Sequence, residues 1–440
     1  MNPKVCLFIF ILLFVFCFLL FYSTLAPDIS WAHFSNSPKI LLQVYQKPLN
    51  WQQRDFFYLL FGKMYSAFFR FLFPSANPAF LLNLFSAFFS SLTIALLFLL
   101  LSSLFPKLQI PSHLPQSPKL SYLPPLFTSL LFASSFTFWS QALIASPANF
   151  YLFFFTLLLF SIHHRNKFFS FFSLLILLSA VFPLNIPKTF RTPSQFINNL
   201  GTVISLMGKN FSSPLLFLSL LGLFFSLKKS FLFLILPILI GQVFFDSFLK
   251  TSTTPPFFLP SFLILIIGMT GGIKLVLEII LALTRARMAV SFENQFFLLI
   301  FRLKKGGKFF HYLVLTISLL LVVISLEKNF KRNYPLVSLK KKSRALVFGQ
   351  SAFSVLPENA LVFCETEKIC TTLWYFQKIV YKKAVEIQPF GKDTREQIER
   401  EIKTRPIFFA LARFPTGREK GIWQGYLLES RGPLYQVLSI

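Results

Sequence analysis

Long apolar runs, broken by short polar or basic stretches, organise the first three quarters of the chain. A helix that crosses a bilayer takes about 20 apolar residues. Runs of that kind extend from Val5 to Leu25 and lie near residues 82–105, 125–144, 147–162, 168–183, 212–227, 230–249, 257–277 and 309–326. The pattern predicts about nine transmembrane helices. The first run reads as an uncleaved anchor, with a signal peptide ending near Ser23 to Ala26 as the competing reading. Residues 56–73 are equally apolar, but Lys63 and Arg70 interrupt them, and an amphipathic helix lying in the membrane interface fits better than a further span. Residues 278–308 mix apolar side chains with Arg and Lys, as expected of a basic helix on an anionic leaflet.

The last quarter changes period. ALVF at 360–363 reads as a buried strand after the turn Leu356-Pro357-Glu358-Asn359. A helix over 371–381, a strand near 384–388, a charged helix near 393–403 and strands at 406–411 and 425–429 follow. Alternating strands and helices predict a short, partly parallel sheet. The expected organisation is a transmembrane domain over 1–326, a basic linker over 327–344 and a small α/β domain over 345–440. The fold class is mostly α.

Composition agrees. Only 13% of the residues are charged, against about 25% in a soluble protein, and mean hydropathy is +0.64. The formal charge of +27 belongs to a chain that faces lipid, so it points to headgroups and orientation, and not to nucleic acid. Lys4, Lys107, Lys119, Arg165, Lys167, Lys228 and Lys229 alternate onto one side, joined by the basic residues of 274–308. The positive-inside rule makes that side cytoplasmic. The loops at 27–81 and 184–211 and the C-terminal tail then lie outside the cytoplasm. Of the 16 carboxylates only Asp28, Asp55, Asp246, Glu278 and Glu293 precede residue 327. Acid–base chemistry in the membrane part has few groups to draw on.

Four cysteines exclude a disulfide scaffold. Cys6 and Cys17 read as packing residues, and a Cys364–Cys370 bridge depends on local geometry. No phosphate-binding glycine loop or paired-histidine metal helix occurs, and no metal or cofactor is expected. The first outer loop, Leu25-Ala26-Pro27-Asp28-Ile29-Ser30-Trp31-Ala32-His33-Phe34-Ser35-Asn36, gathers titratable and aromatic groups just past a span. A base there reaches both a lipid-linked substrate and a water-side acceptor. Asp28 as a helix cap and Trp31 as an interface anchor are the plainer alternatives.

"STLAPDISWAHFSNS" after a first span resembles the opening of the domain-of-unknown-function 2723 family. That family consists of GT-C-like membrane proteins related to protein O-mannosyltransferases of the transmembrane-protein-260 type. "NPAFLLNLFSAFFSSL" (77–92), "FTFWSQALIA" (136–145), "FFLPSFLILIIGMTGG" (257–272), "LPENALVF" (356–363) and "GYLLESRGPLYQV" (425–437) have similar counterparts in the same order. The resemblance implies a bacterial plasma-membrane enzyme that moves a sugar from a polyprenyl-phosphate carrier to an acceptor at the outer face. It also implies a loop carboxylate as base and cations on the donor phosphate. Here the family's loop aspartate is replaced by His33, its glutamate by Asn36, and the glutamate after Phe-Trp-Ser-Gln-Ala by Ser146.

The candidate catalytic residues are therefore Asp28 and His33, with Arg54, Lys188 and Arg191 for the donor phosphate. Expected partners are membrane lipids and a polyprenyl-phosphate-linked sugar. Three function classes stand at this point: a transferase with an altered base, a non-catalytic accessory or lipid-binding relative, and a transporter. The last expects ionisable residues in mid-span, whereas Asp246 and Glu278 fall near predicted span ends.

Overall fold

A computed structural model describes residues 3–30, 37–46, 49, 55–105, 122–181, 213–226, 259–289, 324, 326–339, 344–391, 393–411 and 426–439. The chain divides into two compact units, the first comprising Met1–Tyr22, Ala87–Ala142 and Pro147–Val337, the second Ser23–Ser86, Leu143–Ser146 and Ser338–Ile440.

Among the described residues the helices up to residue 289 are α1 (Pro3–Thr24), α2 (Ser37–Gln46), α3 (Phe56–Leu72), α4 (Pro78–Leu104), α5 (Leu123–Ala133), α6 (Phe136–Ala142), α7 (Pro147–His163), α8 (Lys167–Val181), α9 (Ser213–Ser226) and α10 (Leu259–Ala289). Three of them, α1, α4 and residues Leu259–Val276 of α10, are long and apolar enough to cross a membrane. The bent pair α6 and α7, which turns through 113°, makes a fourth if it counts as one span. These apolar helices make an integral membrane protein. The spans expected near 230–249 and 309–326 lie outside the described residues, apart from residues 324 and 326.

Two expectations change. The run at 125–144 does not form one helix, because the chain breaks at Ser134 and Ser135. Their hydroxyls donate to Leu131 O and Phe132 O. Such local side-chain bonds offer the backbone an alternative to continuing the helix. The span expected to stop at 277 instead continues as α10 to Ala289, with Lys274 and Glu278 paired one turn apart at 3.6 Å.

In the first unit α1 packs Cys6 and Leu13 against Ala95, Phe98 and Tyr122. Its other face leaves Phe8, Leu12, Phe16 and Leu19 exposed, as a lipid-facing stripe does. Residues 326–337 are helical. Asn333 donates to Ser134 O at 2.8 Å, and Phe330 and Tyr334 pack on the fully buried ring of Trp139.

Helices α9 and α10 meet backbone to backbone. A Cβ on Gly222 would lie 1.7 Å from Gly268 O, one on Gly268 2.3 Å from Ser219 O, and one on Gly272 2.1 Å from Leu218 O. Gly268 and Gly272 have the four-residue spacing by which small side chains let helices approach closely in lipid. A hydroxyl pair between Thr128 of α5 and Thr270 of α10, 2.8 Å apart, adds a buried polar contact on the same helix.

The second unit contains a sheet of β1 (Leu361–Cys364), β2 (Glu386–Pro389), β3 (Ile407–Ala410), β4 (Tyr426–Arg431) and β5 (Leu434–Ser439), in the order β2-β1-β3-β5-β4. β1 pairs in parallel with β2 and β3, while β5 is antiparallel to β3 and β4. The expected partly parallel sheet is present, with β5 in addition. Gly432, at φ +61°, opens the two-residue turn before β5, where a positive φ matches hairpin twist.

Helix α11 (Arg344–Val355) precedes the sheet, α12 (Glu367–Tyr375) and a wider π turn (Phe376–Tyr381) join β1 to β2, and α13 (Thr394–Glu401) joins β2 to β3. Leu361, Phe363, Ile407, Phe409 and Val437 form a core with Ile398 of α13. α12 begins four residues before its expected start because the Thr366 side chain caps it, accepting from Ile369 N. Cys364 and Cys370 are disulfide-bonded, with Cα atoms 5.3 Å apart, which fastens the start of α12 to the end of β1.

Replacing Gly268 by Leu should force α9 and α10 apart and cost at least about 1–3 kcal/mol of overpacking. Size-exclusion profiles in detergent measure it: a sharp loss of monodisperse protein is expected, against little loss for Gly391→Ala, whose added Cβ meets nothing within 4 Å.

Candidate functional site

The segment just after α1 carries the predicted chemistry, and the second unit holds it from several directions. Thr24 O accepts from Leu339 N at 3.1 Å, and Ala26 N donates to Leu143 O at 3.3 Å. Asn83, buried in α4, donates through Nδ2 to Ala26 O at 2.9 Å and to Asp28 O at 3.1 Å. Its Oδ1 accepts from Ala145 N at 2.7 Å. One amide thus ties the first loop to the 143–146 segment. A buried amide in an apolar helix has to find such partners, since each missing bond costs about 1–3 kcal/mol.

Asp28 lies at the centre. Its Oδ1 accepts from Ile29 N at 2.7 Å and from the Tyr375 hydroxyl at 3.2 Å, and its Oδ2 accepts from Asn77 Nδ2 at 2.8 Å. Asn77 is the cap of α4: its Oδ1 accepts from Ala79 N at 2.8 Å, and Pro78 occupies the first helical position. That cap fixes the amide orientation, so Nδ2 must face the carboxylate. The positive end of the α4 dipole favours a negative charge there. Asp28 therefore caps no helix itself. It accepts from the residue that does.

Tyr375, only 1% exposed, ends α12. Burial pushes its hydroxyl well above the ordinary tyrosine value, and the Asp28 charge pushes it further. Tyr58 of α3 rises too, mainly through burial, with its hydroxyl 3.4 Å from Ser86 Oγ. Ser86 also accepts from Ser146 N at 3.2 Å, so the position where the resemblance implies a glutamate is a buried serine pinned by its backbone. Lys39 of α2 reaches Glu367 of α12 at 2.6 Å, with both side chains more than half exposed. Arg70 stands 5.9 Å over the Tyr45 ring.

Of the sequence-predicted residues, the structure places Asp28; His33, Arg54, Lys188 and Arg191 lie outside the described residues. Among the described residues no group of three or more His, Cys, Asp or Glu is arranged to hold a metal ion. Three site residues escaped the sequence reading: Asn77, Asn83 and Tyr375. The first left a signal, since Asn followed by Pro before an apolar run marks a helix start. The other two act across long separations that no local pattern carries.

These features define a mostly helical integral membrane protein with a small sheet and a loop locked to a helix cap. Residues 56–186 match the family model described as the protein O-mannosyl-transferase TMEM260 N-terminal domain, in line with the family resemblance read from the sequence. Among solved structures, the crystal structure of ArnT from Cupriavidus metallidurans bound to undecaprenyl phosphate is similar at 11% identity and a TM-score of 0.42, covering 99% of this chain and 98% of that one. No curated protein matches the chain.

Because burial holds the Tyr375 hydroxyl above its ordinary value of about 10, the unfolded chain ionises first. Its contribution to stability is complete below about pH 10 and is lost as pH rises through the folded value. Thermal unfolding in detergent between pH 8 and 11 should fall less steeply for Tyr375→Phe than for the parent. Equal slopes would detach Tyr375 from the alkaline loss.

Proposed function

We propose that this protein is a GT-C-type membrane glycosyltransferase that takes its sugar from a polyprenyl-phosphate carrier and transfers it at the extracytoplasmic face. The observation that carries this reading is the match of residues 56–186 to the N-terminal domain of a protein O-mannosyl-transferase. The proposed arrangement keeps about nine spans over 1–326, a linker over 327–344 and an extracytoplasmic α/β domain over 345–440, with the N-terminus in the cytoplasm and the protein in a bacterial plasma membrane. The Cys364–Cys370 disulfide supports the placement of the C-terminal domain, since such bonds persist in oxidising compartments.

Within this reading Asp28 positions the loop and His33 serves as base. The carboxylate already accepts from three donors that fix backbone and helix ends, which leaves it poorly placed to take a substrate proton. A histidine, with an unperturbed pKa of about 6.5, accepts protons at neutral pH. Arg54, Lys188 and Arg191 are the proposed partners of the donor phosphate, as planar or compact cations suited to phosphate oxygens.

The same use of Asp28 favours one alternative, a non-catalytic relative that keeps the scaffold and binds lipid or assists an active enzyme. Membranes containing the full chain, incubated with a panel of polyprenyl-phosphate sugars, separate the two. The proposal expects sugar transfer that falls by about 100-fold or more in His33→Ala. Transfer absent from the parent across the panel would leave the non-catalytic reading, and transfer unchanged in His33→Ala would remove His33 from the mechanism.

A further inference from the structure

We infer that Tyr375 of α12 is a positioning residue for residues 24–30, acting through Asp28, and that α12 as a whole holds the two described flanks of His33. The inference rests on the proposed transferase only for the purpose of that positioning; the bracket itself is geometric. The two described flanks of His33 are residues 24–30 and α2. Both are gripped by one short helix. Tyr375, in the last turn of α12, donates to Asp28 Oδ1 at 3.2 Å, and Glu367, in its first turn, meets Lys39 of α2 at 2.6 Å. α12 also packs along α2.

The two grips are unequal. The Lys39–Glu367 pair is exposed, and exposed pairs contribute little. The Tyr375 hydroxyl is buried and donates to a carboxylate, the stronger kind of hydrogen bond. Tyr375 should therefore dominate. α12 is itself fixed to the sheet at both ends: the Cys364–Cys370 bridge ties its start to β1, and Trp374 Nε1 donates to Ile387 O of β2 at 3.1 Å. Residues 24–30 thereby take their position from a disulfide-fastened helix and its sheet, more than three hundred residues away in sequence.

Hydrogen exchange on the full-length chain in detergent tests this, comparing the parent with Tyr375→Phe and Glu367→Gln. Tyr375→Phe keeps the ring and removes only the hydroxyl. The expected result is exchange about tenfold faster or more in residues 24–30 and 37–46, unchanged protection in the strands over 361–364 and 407–410, and a smaller effect from Glu367→Gln. Unchanged exchange in the two flanks would overturn the inference. Loss of protection spread through the strands would also overturn it, since that marks a residue needed for the domain's own fold. Where the parent transfers sugar, Tyr375→Phe should lower kcat with little change in donor KM. A parent without transfer would remove the transferase reading and leave the exchange result to decide the bracket.

Discussion

The carboxylate of Asp28 is the point through which the segment after α1 is tied to α4 and α12. A carboxylate at the edge of a lipid-facing chain is costly unless donors surround it. Here the donors come from three separate stretches: the next peptide N–H, the cap of α4 and the end of α12. Each donor has its orientation set by something else. The Asn77 amide cannot flip without uncapping α4, and Tyr375 sits in a helix tied to the sheet at both ends. Asn83 repeats the logic without charge, using one buried amide to join the loop to residues 143–146.

Where the resemblance implies carboxylates for chemistry, the chain has His33, Asn36 and Ser146, and the Ser146 backbone is pinned by Ser86. The carboxylate that the loop retains is used to hold structure.

Much of the helical part was legible because lipid imposes a simple rule: apolar runs of sufficient length become helices, as α1, α4 and α7 did within a few residues of the expected limits. What was not legible depended on single polar residues inside those runs. Ser134 and Ser135 divide an expected span, although hydropathy barely registers two serines. Asn77 moves the start of α4 four residues earlier by capping it. Past residue 345 the alternation of strands and helices pointed to β1, β2, β3 and β4, while β5 was missed because its leading signal is one glycine in a tight turn. The Asp28–Tyr375 bond joins residues 347 apart, and neither end advertises the other. Long-range polar contacts of this kind are properties of the folded arrangement and leave no periodic trace.

A double-mutant cycle on Asp28 and Tyr375 addresses the central claim most directly. Asp28→Ala, Tyr375→Phe and the double variant would be compared by thermal unfolding of the purified chain in detergent. A buried hydroxyl donating to a carboxylate predicts a coupling of about 1 kcal/mol or more. Additive effects, with a coupling near zero, would mean that the two groups do not hold each other and that the loop is positioned by other means.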